Sequence, residues 1–134
     1  MKFINGVACR TKRESLLHII AQAEAGTISA KDKRDARFGQ CAYVYPSGNN
    51  CAVGSLFSKE QLKDIERLEL NEMSIDYVAD KIGEKNIEAV TGMTMFELES
   101  LQKTHDEVLQ NSGFEKARQA VIHHAKDMLQ ALKK

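Results

Sequence analysis

"CAYVYPSGNNCAVGSLF", residues 41–57, is the stretch on which the reading of this chain turns. It holds two of the three cysteines, the only proline and two of the three tyrosines. β-Branched and aromatic residues flank "PSGN", a turn signal, so the stretch reads as a β-hairpin with strands near residues 41–45 and 51–56. With a four-residue loop, Tyr45 faces Asn50, Val44 faces Cys51 and Cys41 faces Gly54. Side chains alternate along a strand, so Cys41 and Cys51 then point to opposite faces. A three- or five-residue loop reverses that parity, and the sequence leaves the choice open. The spacing lacks the tight C-x-x-C pairs of a zinc clip, so no metal site and no cofactor are expected. Ala52 and Gly54 are small and would let another backbone or a helix come close.

Outward from this stretch the pattern is helical. "TKRESLLHIIAQAEAG" reads as a helix: Thr11 and Glu14 make a capping box, Leu16, Leu17, Ile20 and Ala23 form a stripe, and Gly26 is the stop. "ISAKDKRDARFGQ" reads as a basic loop or a frayed helical turn. Ser58 with Gln61, Ser74, and Thr94 with Glu97 open three further helices, and "EKNIEAVTG" is a connector or another short one. Gly113 ends the helix that Thr94 opens, and Ser112 with Glu115 opens the last helix, with Phe114, Ala117, Val121, Ala125, Met128 and Leu132 in its stripe. The last two helices are expected to form an antiparallel hairpin. The expected fold is α+β: mostly helical, with one small antiparallel β-hairpin packed on the helices, since two strands alone are marginal.

A length of 134 residues predicts a single domain over 1–134 with a hydrophobic core of its own. No apolar run is long enough to span a membrane and the N-terminus lacks the apolar core of a secretory signal. An odd number of cysteines without an export signal predicts reduced thiols in a cytoplasm. Net charge is zero but unevenly spread. Residues 1–58 carry eight Lys/Arg against four Asp/Glu, residues 59–107 six against thirteen, and residues 108–134 five against two. A generic nucleic-acid binder would show a clear basic excess, so nucleic acid is not an expected partner. The acidic middle suits solvated helix faces or attraction of a basic partner.

Two chemistries compete for the central residues. Cys51 as a nucleophile needs a lowered pKa and a base in reach, and His105 in "LQKTHDEV" is the candidate. Asp106 is its chain neighbour, about 100° away around the helix, and is poorly placed to orient the ring. His105 also falls on the apolar stripe of Leu98, Leu101, Val108 and Leu109, where a histidine is more often a core residue. Cys51 as a small buried hydrophobe is the simpler reading. Candidate binding residues are then the hairpin tip, Tyr43, Tyr45, Asn49 and Asn50, which suits adaptable recognition, and the basic head, Arg34 and Arg37, which suits an anionic ligand.

"QCAYVYPSGNNCAVGSLFSKEQL" followed by "LESLQKTHDEV" resembles a group of small accessory proteins encoded by tailed phages and prophages. The matching positions are Cys41, Tyr43, Gly48, Cys51, Ala52, Val53, Gly54, Leu56, Leu101, Gln102, His105 and Asp106. The chain departs from that pattern at Ser55 and at "SKEQ". The resemblance implies a phage-encoded protein in the host cytoplasm that antagonises a host factor or defence system. It would do so by binding a host protein or an anionic signalling nucleotide. It also implies that the Cys-Ala-Val-Gly and Gln-x-x-His-Asp segments meet in space. The alternatives are a thiol-dependent hydrolase with a Cys51/His105 pair, and a structural or regulatory homodimer joined through the C-terminal helices.

Overall fold

The computed structural model describes residues 10–29 and 42–132, which form six α-helices and one 3-10 turn. Four of the helices begin at a side-chain cap that the sequence marks, whereas the expected Ser112 cap of the last helix does not form. α1 (Lys12–Glu24) starts at a complete capping box: Glu14 N–H donates to Thr11 Oγ1 at 3.1 Å, and Thr11 N–H donates to Glu14 Oε1 at 2.9 Å. α2 (Lys59–Arg67) repeats the device with Ser58 and Gln61. α3 (Ile75–Ile82) is capped by Ser74, and α4 (Glu84–Thr91) follows across Gly83. α5 (Met95–Ser112) carries the Thr94–Glu97 box. α6 (Phe114–Leu132) follows after the single residue Gly113, and Ser112 is the last residue of α5.

α5 and α6 pack along each other, and α1 lies against α6. Ser100 and His124 stand at similar distances either side of Gly113 and are hydrogen-bonded at 2.9 Å, which fixes an antiparallel pairing. One buried cluster joins α1, α3, α4, α5 and α6: Leu16 and Ile19, Ile75 and Val78, Ile87 and Val90, Leu98 and Leu101, Val121 and Ala125. Burying these side chains supplies the main drive for folding, about 1.5–3 kcal/mol for each large one. α4 closes on α1 through backbone. Arg10 N–H donates to the Val90 carbonyl at 3.1 Å and Ser15 Oγ donates to the Thr91 carbonyl at 2.5 Å. Gly92 makes that approach feasible: its φ is +66°, and a Cβ there would lie 2.4 Å from the Arg10 carbonyl oxygen.

The expected β-hairpin is absent, and the fold is helical with no strand among the described residues rather than α+β. The reason is where the backbone groups of residues 42–57 go. A tight turn does form, with Gly48 N–H donating to the Tyr45 carbonyl and Tyr45 N–H to the Asn49 carbonyl, both at 2.8 Å. Cys51 N–H also reaches the Ala42 carbonyl at 3.2 Å. The remaining ladder partners lie elsewhere. Tyr43 N–H donates to the Asn71 carbonyl at 3.0 Å, and the Asn71 side chain takes both the N–H and the carbonyl of Val44 at 2.9 Å each. The Asn50 side chain donates to the Tyr43 carbonyl at 2.8 Å, while its backbone bonds Thr27 and Ser29 and leaves one isolated parallel bridge, Ile28 to Asn50. Beyond Cys51 the chain coils into the 3-10 turn Gly54–Leu56. With no strands, the pairing of Val44 with Cys51 and the parity of Cys41 and Cys51 lose their basis. Cys41 itself lies outside the described residues, as do Arg34 and Arg37.

Candidate functional site

Cys51 sits at the start of this coil and is fully buried. Its Sγ accepts the Gly54 N–H at 3.3 Å. His105, on the inner face of α5, is likewise fully buried; its Nδ1 lies 3.4 Å from Asp106 Oδ1, and its Nε2 has no partner among the described residues. No hydrogen bond joins the thiol and the imidazole among the described residues. Neither group lines a described cleft. A nucleophile must meet its substrate, and here both the thiol and its candidate base are sealed in apolar packing.

The two motifs nevertheless meet, through residues other than Cys51 and His105. The Tyr43 hydroxyl donates to the Met73 carbonyl at 2.9 Å and accepts from Gln102 Nε2 at 2.7 Å. Gln102 Oε1 in turn accepts the Ile75 N–H at 2.9 Å, one of the donors that the first turn of α3 leaves unpaired. Tyr43 is 1% exposed and its ring leans on that of Phe57, centroids 6.2 Å apart. Gly54 belongs to the same junction, because a Cβ there would lie 2.2 Å from the Tyr43 carbonyl oxygen. Tyr43 and Gln102 both belong to the two sequence motifs. The pairing of the two motifs was the signal that these segments meet, and no local pattern marked the hydrogen bond between them.

The tip residues are engaged inward. Tyr45 is 2% exposed, and Asn49 Nδ2 donates to the Gly26 and Ser29 carbonyls at 3.3 and 3.1 Å. Asn50 is bound to Tyr43 as above, so the surface of the turn is Pro46, Ser47 and Gly48. Two cationic residues at the start of α1 are also engaged: Arg10 Nη1 donates to the Leu56 carbonyl at 2.7 Å, and Lys12 is ion-paired with Glu97. His18 Nε2 meets the Ser55 carbonyl at 3.0 Å; a carbonyl only accepts, so that nitrogen carries the proton. Burial and the Arg10 charge hold the His18 pKa below its ordinary value, against the Ser55 bond.

Among the described residues, an open surface lies between α3 and α5. Two adjoining clefts, about 330 and 390 Å³, share Asp76. One is lined by Asp80, Glu84 and Met95, the other by Glu99, Lys103, Asp106 and Glu107. A hydrogen bond that protonated Glu99 donates to the Asp76 carboxylate raises the Glu99 pKa above its ordinary value, with burial and the charges of Asp76 and Glu84 adding to it. Among the described residues no set of three or more His, Cys, Asp or Glu converges as a metal site, and no helix is long and apolar enough to cross a membrane. No protein-family model, curated protein or solved structure matches the chain.

Proposed function

We propose that this chain is a phage-encoded protein of the host cytoplasm that works by binding a host protein, and so antagonises a host factor or defence system. The phage setting rests on the motif resemblance alone. The mode of action rests on one observation: the thiol and imidazole are sealed in the core, whereas the open clefts among the described residues are shallow and carry carboxylates. Carboxylate-lined clefts repel the phosphates of a nucleotide and attract cationic side chains, which favours a protein partner over an anionic signalling ligand.

The test is affinity capture from host lysate with the tagged full chain. The captured protein is then identified, purified and titrated by calorimetry. A saturable complex that the Cys51→Ala variant also forms is the expected result. Absence of any such complex, together with Cys51-dependent turnover of an ester or thioester substrate panel, overturns the reading.

A further inference from the structure

The groove between α3 and α5 pairs an unpartnered apolar group with unneutralised charge. Phe96 is 81% exposed, the most exposed of the large hydrophobic side chains described. It stands on the same stripe of α5 as Glu99 and Lys103, three and seven residues on, and therefore at one end of the acidic cleft. Its neighbour Met95 lines the adjoining cleft. Across the groove, α3 presents Asp76 and Asp80. Asp76, Asp80, Glu84 and Glu99 form no ion pair with any described cation. Asp76 and Glu84 both disfavour the charged form of Glu99. Carboxylates crowded in this way lower the stability of the free protein and are relieved by an incoming positive charge. A bare metal ion is a poor candidate, since no described set of ligands converges on one point. Cations spaced along a chain fit carboxylates spaced along a groove.

We infer that the α3–α5 groove docks a Lys/Arg-bearing segment of the partner protein, with Phe96 as its apolar anchor and Asp76, Asp80, Glu84 and Glu99 receiving the cations. The assignment rests on the binding reading above and adds the site and the chemistry of the partner. Aromatic side chains, Phe among them, are enriched at the cores of protein interfaces, with polar groups around them. Such charge also speeds encounter in a salt-dependent way.

The probe is a synthetic peptide of alternating Arg and Leu, titrated into the ¹⁵N-labelled full chain, with a Glu-for-Arg peptide as control. Amide shifts centred on Asp76, Asp80, Glu84, Phe96 and Glu99, fading as salt rises, are expected. Phe96→Ala weakens binding about tenfold, and the Asp76→Lys/Glu99→Lys double variant weakens it by about tenfold or more. Glu60→Lys and Glu69→Lys, at exposed positions elsewhere, leave it unchanged. Circular dichroism checks that each variant is folded, and Phe96, being outside the core, keeps the test open whatever the double variant does. Shifts spread equally over all acidic surfaces overturn the assignment, as do equal binding of the Glu peptide, the same shifts from magnesium or calcium alone, or no effect of Phe96→Ala. If the double variant holds the captured host protein at full strength, the groove assignment fails and the binding reading stands.

Discussion

The side-chain amide of Gln102 donates to the hydroxyl of Tyr43 at 2.7 Å, and this one bond ties the coil of residues 42–57 to the middle of α5. The same hydroxyl holds Met73, and the same amide holds the first N–H of α3, so four segments converge on two side chains. Each group has a partner, which is the condition under which a buried polar network rigidifies a core.

Removing both members should therefore cost less than the sum of removing each alone. Tyr43→Phe leaves the Gln102 amide and the Met73 carbonyl unpaired and is expected to destabilise by about 1–3 kcal/mol. Gln102→Leu strands the Ile75 N–H with a similar penalty. In a double-mutant cycle read by urea denaturation, the combined variant should fall short of the sum by about 0.5–3 kcal/mol. Strict additivity would show that the two residues act independently.

Gly54 is expected to tolerate no side chain. A Cβ there meets rigid backbone of Tyr43, not the movable end of a side chain. Gly54→Ala should cost about 3 kcal/mol or more, at the upper end of overpacking effects. Gly48→Ala meets nothing within 4 Å and carries only the strain of φ +94°, about 1–2 kcal/mol. Equal denaturation midpoints for the two variants would contradict the close approach.

Cys51 should behave as a core atom and His105 as its neighbour in kind. Iodoacetamide labelling followed peptide by peptide is expected to modify Cys51 only after unfolding. Cys51→Ala should lose about 1–2 kcal/mol through the small cavity it leaves. His105→Leu removes a buried nitrogen without a described partner and should lie within about 1 kcal/mol of the parent, or above it. Rapid alkylation of Cys51 in the native state would reopen the nucleophile reading.

Two glutamates two residues apart near the start of α5, and so on opposite sides of the helix, should respond to pH with opposite sign. Burial pushes Glu97 up, but the hydrogen bond and charge of Lys12, with the bonds of Thr94, bring its pKa below the ordinary value. Its contribution is present above the unfolded carboxylate value near ~4.3 and is lost as pH falls through the folded value. Glu99 is raised, so its favourable contribution is present below the unfolded value and is lost as pH rises through the folded one. Glu97→Gln should lower the thermal midpoint at neutral pH, with the gap closing in acid. Glu99→Gln should raise it at neutral pH. Shifts of the same sign in the two pH series would refute this assignment.

The amino-acid sequence by itself set the helix starts. Thr11 with Glu14, Ser58 with Gln61, and Thr94 with Glu97 satisfy donors three residues away, so nothing distant can redirect them. The stripe of Ala117, Val121 and Ala125 was legible for the same reason: helical period alone puts these residues on one face. The hairpin was not decided locally. "YVYPSGNNCAV" has the composition of two strands and a turn, but Asn71, Thr27 and Ser29 take the hydrogen bonds a ladder would need. All three lie far from it in sequence. The candidate site divides along the same line. The motifs carried Tyr43 and Gln102, and tertiary structure alone made them partners, while it sealed Cys51 and His105 from solvent. It also gathered Asp76, Glu84 and Glu99 from three helices into one groove. A cap is a contact within one turn of chain, whereas a network or a groove exists only once helices distant in sequence have packed.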